Sequence, residues 1–225
     1  MDDSYSVSFE KNGNEEFVSA DQILMAVGRK PLLTGIDADK LGLELNERGQ
    51  GIKVNEKMET SMPGLYAIGD VTNKIQLAHV ASHQGIVAVK NIMGEECEMD
   101  YNAVPSAIFT DPEIGEVGIC EEQAKKDGFE VNTGRFPFAA NGKALTVGSG
   151  EGFIKIVTEK ETNRIIGASI IGVHATDLLA ELTLAIKNKL SAEEVAETIH
   201  AHPTTAEVIH EAALDVGGRA LHYKR

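Results

Sequence analysis

The densest group of chemically capable side chains is His200-Ala201-His202-Pro203-Thr204-Thr205-Ala206-Glu207. Pro203 holds the preceding residue in extended backbone and suits a helix entry, so His202 should stand just outside a helix. Glu207 would then lie in that helix's first turn. A carboxylate there can reach back to the imidazole, set its tautomer and favour its protonated form. A histidine oriented by a glutamate is a usable general base near neutral pH. Spacing alone favours a plainer account, in which Glu207 only closes a capping box with Thr204 and the histidines are surface loop residues.

The other candidates are weaker. Gly69-Asp70 follows the short apolar run Leu65-Tyr66-Ala67-Ile68. A glycine there lets a ligand approach the backbone, and the carboxylate can accept from ribose or ribityl hydroxyls. An ordinary Asp-containing turn or cap explains it equally well. His79 and His83 stand four apart on an expected helix, which is metal-ligand spacing. No third ligand stands near them, and zinc takes three or four protein ligands, so no metal site is expected. His174 and His210 belong to no constellation. Gly148-Ser149-Gly150-Glu151-Gly152 does not match a G-x-G-x-x-G fingerprint and carries no phosphate-binding claim.

These residues must be positioned by two kinds of element. Tyr5 to Glu10 and Glu16 to Ser19 read as strands joined at Asn12-Gly13, a hairpin signal. Ile23 to Val27 is a continuous apolar run, expected to be a strand buried on both faces, and Leu65 to Ile68 another. Between them, residues 31 to 62 are loop-rich. Leu77 to Met93 has helical periodicity and Gly94 should end it. From about Tyr101 short strands recur at Ser106 to Phe109, Gly115 to Ile119, Val131 to Phe138, Phe153 to Thr158 and Arg164 to Ile171. A small helix, Glu121 to Asp127, interrupts them. Helices follow at Asp177 to Leu190, after a Ser191 to Glu194 capping box, and after Thr204. Strands then helices predict an α+β unit, an antiparallel sheet with helices on one face, preceded by partial α/β elements.

The 225 residues carry 35 acidic against 21 basic side chains, a formal charge of -14. That balance argues against a phosphate-backbone partner, which needs clustered Lys and Arg, so nucleic acid is not expected. No apolar run approaches the roughly 18 residues that would span a bilayer, so no membrane partner is expected. The amino-terminal stretch lacks the basic and apolar parts of a signal peptide. Cys97 and Cys120 are the only cysteines. They form neither a disulfide framework nor a zinc spacing, and a reducing cytoplasm is the expected compartment.

Four segments in order carry a resemblance: Ala26-Val27-Gly28-Arg29-Lys30-Pro31, Tyr66-Ala67-Ile68-Gly69-Asp70-Val71, Leu77-Ala78-His79, and His200-Ala201-His202-Pro203-Thr204-x-x-Glu207. Together they resemble the dihydrolipoamide dehydrogenases of the flavoprotein disulfide oxidoreductase family, through essentially the whole chain. The His-Ala-His-Pro-Thr form favours that branch over glutathione reductase. The ending Leu221-His222-Tyr223-Lys224-Arg225, without a cysteine pair, disfavours mercuric reductase. The resemblance implies that Gly28 lies near NAD, that Asp70 holds the ribityl chain of FAD, and that Leu77, Ala78 and His79 lie along it. It implies that His202 takes the proton from a dihydrolipoamide thiol, oriented by Glu207. It also implies a homodimer through residues 101-225, and a lipoyl domain of a 2-oxoacid dehydrogenase or related complex as partner.

The departures shape the expectation. No G-x-G-x-x-G fingerprint and no C-x-x-x-x-C pair are present in these 225 residues. The chain is therefore expected to be the carboxyl-terminal part of such an enzyme. Residues 1-30 would be a remnant of the NAD-binding domain, 31-100 a remnant of the FAD-binding domain, and 101-225 the interface domain. Such a chain is expected to be inactive alone and to bind no cofactor tightly, since a base cannot drive disulfide exchange without a disulfide in reach. The alternative is a stand-alone, non-catalytic dimerisation module of the same family. A metal-dependent hydrolase using His200 and His202 is the weakest of the three readings.

Overall fold

Alternation of side chains and a left-handed two-residue turn build the first element, an antiparallel hairpin of β1 (Tyr5–Lys11) and β2 (Asn14–Ala20). Asn12 and Gly13 both take positive φ, 53° and 79°, as a primed two-residue turn requires. The computed structural model describes residues 4–47 and 49–223, and the chain divides into two compact units, residues 1–99 and 100–225. Met1 to Asp3 of the amino-terminal stretch and Lys224-Arg225 of the closing segment lie outside the described residues.

In the first unit the two expected buried strands do not form. Ile23 to Val27 is irregular, with Leu24, Met25 and Val27 exposed at 89%, 81% and 90%. A strand of that composition needs a neighbour on each edge and cover on both faces. Among the described residues β1 and β2 pair only with each other, and no strand pairs with this run. Leu65 to Ile68 makes one isolated bridge, Glu59 to Tyr66, and then tightens into a 3-10 turn at Gly69–Thr72. Leu43, Ile52 and Ala67 form a small core, with Leu33, Val54, Leu65 and Val71 against it.

The expected helix does form. Helix α1 (Ala78–Ile92) buries Val80, Gln84, Val87 and Ala88 along one stripe. It ends as a Schellman motif: Gly94 at φ 85° donates to the Asn91 carbonyl, and Glu95 donates to that of Lys90.

The second unit is an antiparallel sheet of five strands, β3 (Ser106–Ile108), β4 (Ile114–Gly118), β5 (Val131–Pro137), β6 (Phe153–Glu159) and β7 (Ile165–Ile171), in the order β3-β4-β7-β6-β5. Ile154 and Ile156 of β6 and Ile165 and Ile170 of β7 are buried, and Asn163 at φ 58° turns the chain between the two strands. Over the sheet lie α4 (Ala175–Lys187), against β4 and β7, and α6 (Glu207–Val216), against β5 and β6. The short α5 (Ala192–Glu197) packs on α6. Leu179, Leu182, Val195, Val208, Ile209 and Ala212 from these helices join the strand side chains in one core.

Two further short helices complete the unit, α2 (Glu121–Lys126) and α3 (Gly142–Thr146). Lys155 alternates out of the core between Ile154 and Ile156, and it pairs with Glu121 of α2. So the start of α2 reaches the side of the sheet opposite α4 and α6.

Helix α6 carries the residues of greatest chemical interest, and one glycine sets how near it sits to the sheet. A Cβ on Gly134 of β5 would stand 2.0 Å from the Ala212 carbonyl oxygen and 2.7 Å from the Val216 nitrogen. Beside it, the Arg135 N–H donates to Asp215 Oδ2 at 2.7 Å, fastening strand to helix end. Gly134→Ala must push α6 off β5. We expect it to cost about 1–3 kcal/mol, the usual cost of overpacking, measured by urea denaturation of the 225-residue chain.

Candidate functional site

The loop between α5 and α6 is pinned at both ends by local hydrogen bonds. Helix α5 is opened by a complete capping box, Ser191 Oγ accepting from the Glu194 N–H and Glu194 Oε2 from the Ser191 N–H at 2.7 Å. At the start of the loop the Thr198 hydroxyl donates to the Glu194 carbonyl at 2.9 Å. At its end, Glu207 Oε2 accepts from the Thr204 N–H at 2.8 Å. The reciprocal bond expected of a Thr204 box is absent. Thr204 Oγ1 donates to the Ala201 carbonyl at 2.7 Å, and α6 begins at Glu207 itself. The plainer account of Glu207 is therefore half realised: one oxygen caps the backbone.

The other oxygen, Oε1, lies 2.8 Å from His202 Nδ1. An ionised carboxylate only accepts, so Nδ1 carries the proton and donates, which turns the Nε2 lone pair outward. The His202 side chain is 80% exposed, while Glu207 is mostly covered. The His202-Pro203 peptide is cis. Burial pushes the Glu207 carboxyl up, but the Thr204 N–H, the His202 hydrogen bond and the charges of His202 and His222 outweigh it, and the net position is below its ordinary 4.5.

Three residues that sequence reasoning passed over complete the surroundings. Asn141 is buried: its Oδ1 accepts from the Ala144 N–H at 2.8 Å, capping α3, and its Nδ2 donates to the Thr204 carbonyl at 3.1 Å. Glu181 of α4 meets His200 Nε2 at 2.9 Å. Glu211, one helical turn beyond Glu207, is 3% exposed and accepts from the Leu221 and His222 N–H groups and from His222 Nδ1, at 2.9, 3.2 and 2.6 Å. Of these only Glu211 left a signal in sequence, a carboxylate at i+4 from Glu207 on the helix face. A cleft of about 580 Å³ runs between the elements, with His200, His202, Glu207, His210, Glu211 and His222 in its walls. What this can do chemically is accept a proton at His202 Nε2 and hold the resulting cation beside a carboxylate.

The other predicted residues lie in the first unit. Asp70 is half-exposed in the 3-10 turn and pairs with Arg29 at 2.8 Å, and Arg29 also donates to the Gln76 carbonyl. Gly69 takes φ 72°, and its N–H donates at 2.6 Å to the fully buried Gln84 of α1, so the turn is braced by the helix behind it. Leu77 precedes α1 in extended backbone; Ala78 and His79 open the helix, with no acidic residue in its first turn. A helix start with no side-chain cap and no acidic residue in its first turn is a setting that favours an anionic group. Gly28 is exposed at φ 124°. Among the described residues no three His, Cys, Asp or Glu side chains converge to hold a metal, and no helix is long and apolar enough to cross a membrane. Cys97 is half-buried, Cys120 is exposed, and both are free thiols.

Comparison with known proteins gives a consistent picture. Residues 104–213 match the model of the pyridine nucleotide-disulphide oxidoreductase dimerisation domain, and residues 2–85 match that of pyridine nucleotide-disulphide oxidoreductase. The dihydrolipoyl dehydrogenase of Bacillus subtilis is 42% identical over 220 residues, which is 98% of this chain and 47% of that protein. That of Chlamydia muridarum is 48% identical over 212 residues, 94% of this chain and 45% of that protein. The chain thus spans about half the length of the curated relatives it matches. Among solved structures, LpdA of Mycobacterium tuberculosis superposes with a TM-score of 0.83 at 29% identity, covering 89% of this chain and 44% of that one.

Because the Glu207 carboxyl sits below 4.5 in the fold, its contribution to stability is complete above that pH and is lost as pH falls through the lowered value. Glu207→Gln should cost about 1–2 kcal/mol at pH 7. The deficit should shrink as pH drops below 4.5, read from denaturation series at several pH values.

Proposed function

Since this chain belongs to the pyridine nucleotide-disulphide oxidoreductase family, we propose that it is the carboxyl-terminal part of a dihydrolipoyl dehydrogenase and supplies that enzyme's general acid/base, His202, held by Glu207. The observation that carries this reading is the 2.8 Å contact from His202 Nδ1 to Glu207, which leaves Nε2 as an exposed base. In the forward direction a thiol proton of dihydrolipoamide passes to Nε2. The S–H bond breaks, its electron pair stays on sulfur as thiolate, and the imidazolium formed is stabilised by the Glu207 carboxylate. The thiolate then attacks a disulfide. Cys97 and Cys120 lie apart in sequence and do not form the C-x-x-x-x-C pair, so the disulfide is contributed by residues outside these 225.

Residues 101-225 are the interface domain of a homodimer in this reading, 1-30 belong to the NAD-binding domain and 31-100 to the FAD-binding domain. Asp70, Leu77, Ala78 and His79 line the FAD side and Gly28 the NAD side. FAD, when bound, supplies the two-electron acceptor and NAD the final one. The complete enzyme's partner is a lipoyl domain of a 2-oxoacid dehydrogenase or related complex, and the cytoplasm is its compartment.

Two measurements check this. His202→Gln in the complete enzyme should lower lipoamide turnover by about 10²- to 10⁴-fold while gel filtration still shows the dimer; near-normal turnover would show that the base is misassigned. The 225-residue chain alone should form no NADH from dihydrolipoamide and copurify with no stoichiometric flavin. A yellow protein or dihydrolipoamide-dependent NADH would overturn that assignment.

A further inference from the structure

His200, two residues before the assigned base, is in an arrangement a neutral imidazole cannot satisfy. Its side chain is only 6% exposed. Nδ1 lies 2.8 Å from the Thr198 carbonyl oxygen, which can only accept, so Nδ1 carries a proton. Nε2 lies 2.9 Å from Glu181 Oε1, a second acceptor. With one proton the ring would face the carboxylate with a lone pair. With two it donates at both ends, one bond to its own loop and one to α4.

The remaining charged and titratable groups around the ring suit the same state. Glu207 of α6 is a second nearby carboxylate, and Glu197 of α5 lines the same cleft. His210 of α6 tilts against the ring at 5.3 Å, with its own buried Nδ1 unpartnered, and His202 is the loop's other imidazole. The Glu181 hydrogen bond holds the His200 pKa above its ordinary 6.5. Burial opposes it, while the Thr198 carbonyl and the Glu181 and Glu207 charges add to the upward shift.

We infer that His200 is a positioning residue, an imidazolium clasp with Glu181 as counter-ion, which fixes the amino-terminal side of the loop whose other side Glu207 holds and so sets where His202 points. This rests on the reading of His202 as the base. Because the folded pKa is raised, the clasp is intact below 6.5 and is lost as pH rises through the raised value.

The first test uses the 225-residue chain, with no activity involved. A proton–nitrogen NMR titration should show both His200 nitrogens protonated below its midpoint and that midpoint above the ordinary 6.5, and Glu181→Gln should move it to lower pH. A midpoint at or below 6.5 would overturn the inference. The second uses the complete enzyme. Glu181→Gln should lower kcat by about ten- to a hundredfold, the scale of a misplaced catalytic group. It should leave KM for lipoamide nearly unchanged and bring the basic-side loss of activity to lower pH. Glu181→Asp, which keeps the charge, should retain the wild-type profile. If His202→Gln cripples turnover but Glu181→Gln leaves kcat and the pH profile untouched, the clasp alone fails. If His202→Gln is harmless, the base assignment fails whatever His200 does.

Discussion

One carboxylate organises the chemistry of the second unit. Glu207 divides its two oxygens between the Thr204 N–H and His202 Nδ1. The first bond fixes the backbone entry to α6, and the second fixes the imidazole to that backbone. A histidine on a loop has several rotamers and two neutral tautomers, and ordering them has an entropic cost. Here the same group that starts the helix selects one rotamer and one tautomer. Helix start and proton acceptor are therefore a single construction, and neither can be altered without the other.

The sheet exists to hold that construction still. Gly134 lets α6 approach β5 to backbone distance, and Asp215 ties the far end of the helix to the Arg135 N–H. The apolar side of α6, Val208, Ile209, Ala212 and Ala213, closes the core. The opposite side presents Glu207 and Glu211 to the cleft. The helix is thus clamped along its length, which is what a site demands whose useful atoms must stay within a fraction of an ångström.

Much of the second unit was legible because its signals are local. The apolar strands β6 and β7, the Ser191 box and the periodicity of α4 all reside within a few residues of chain. The His202–Glu207 contact was legible because the partners are five apart and Pro203 restricts the path between them. Asn141 and Glu181 were not, because they meet the loop from 63 and 19 residues away, and nothing in their own neighbourhoods announces it. Ile23 to Val27 failed for the complementary reason. Its composition describes the cover and neighbours a strand requires, and no described strand pairs with it. Local pattern states what a segment needs, whereas the presence of a partner decides what it becomes.

Glu211 holds the closing segment Leu221-His222 through three donors, one helical turn from where Glu207 holds the loop. Helix α6 therefore works as a common rail with two riders. A slide of the helix against β5, however small, carries both imidazoles in the same sense and preserves their spacing. Between the two holding carboxylates lies one turn of helix, backed by the buried Val208, Ile209 and Ala212. Two of the walls of the cleft thus share one mechanical reference.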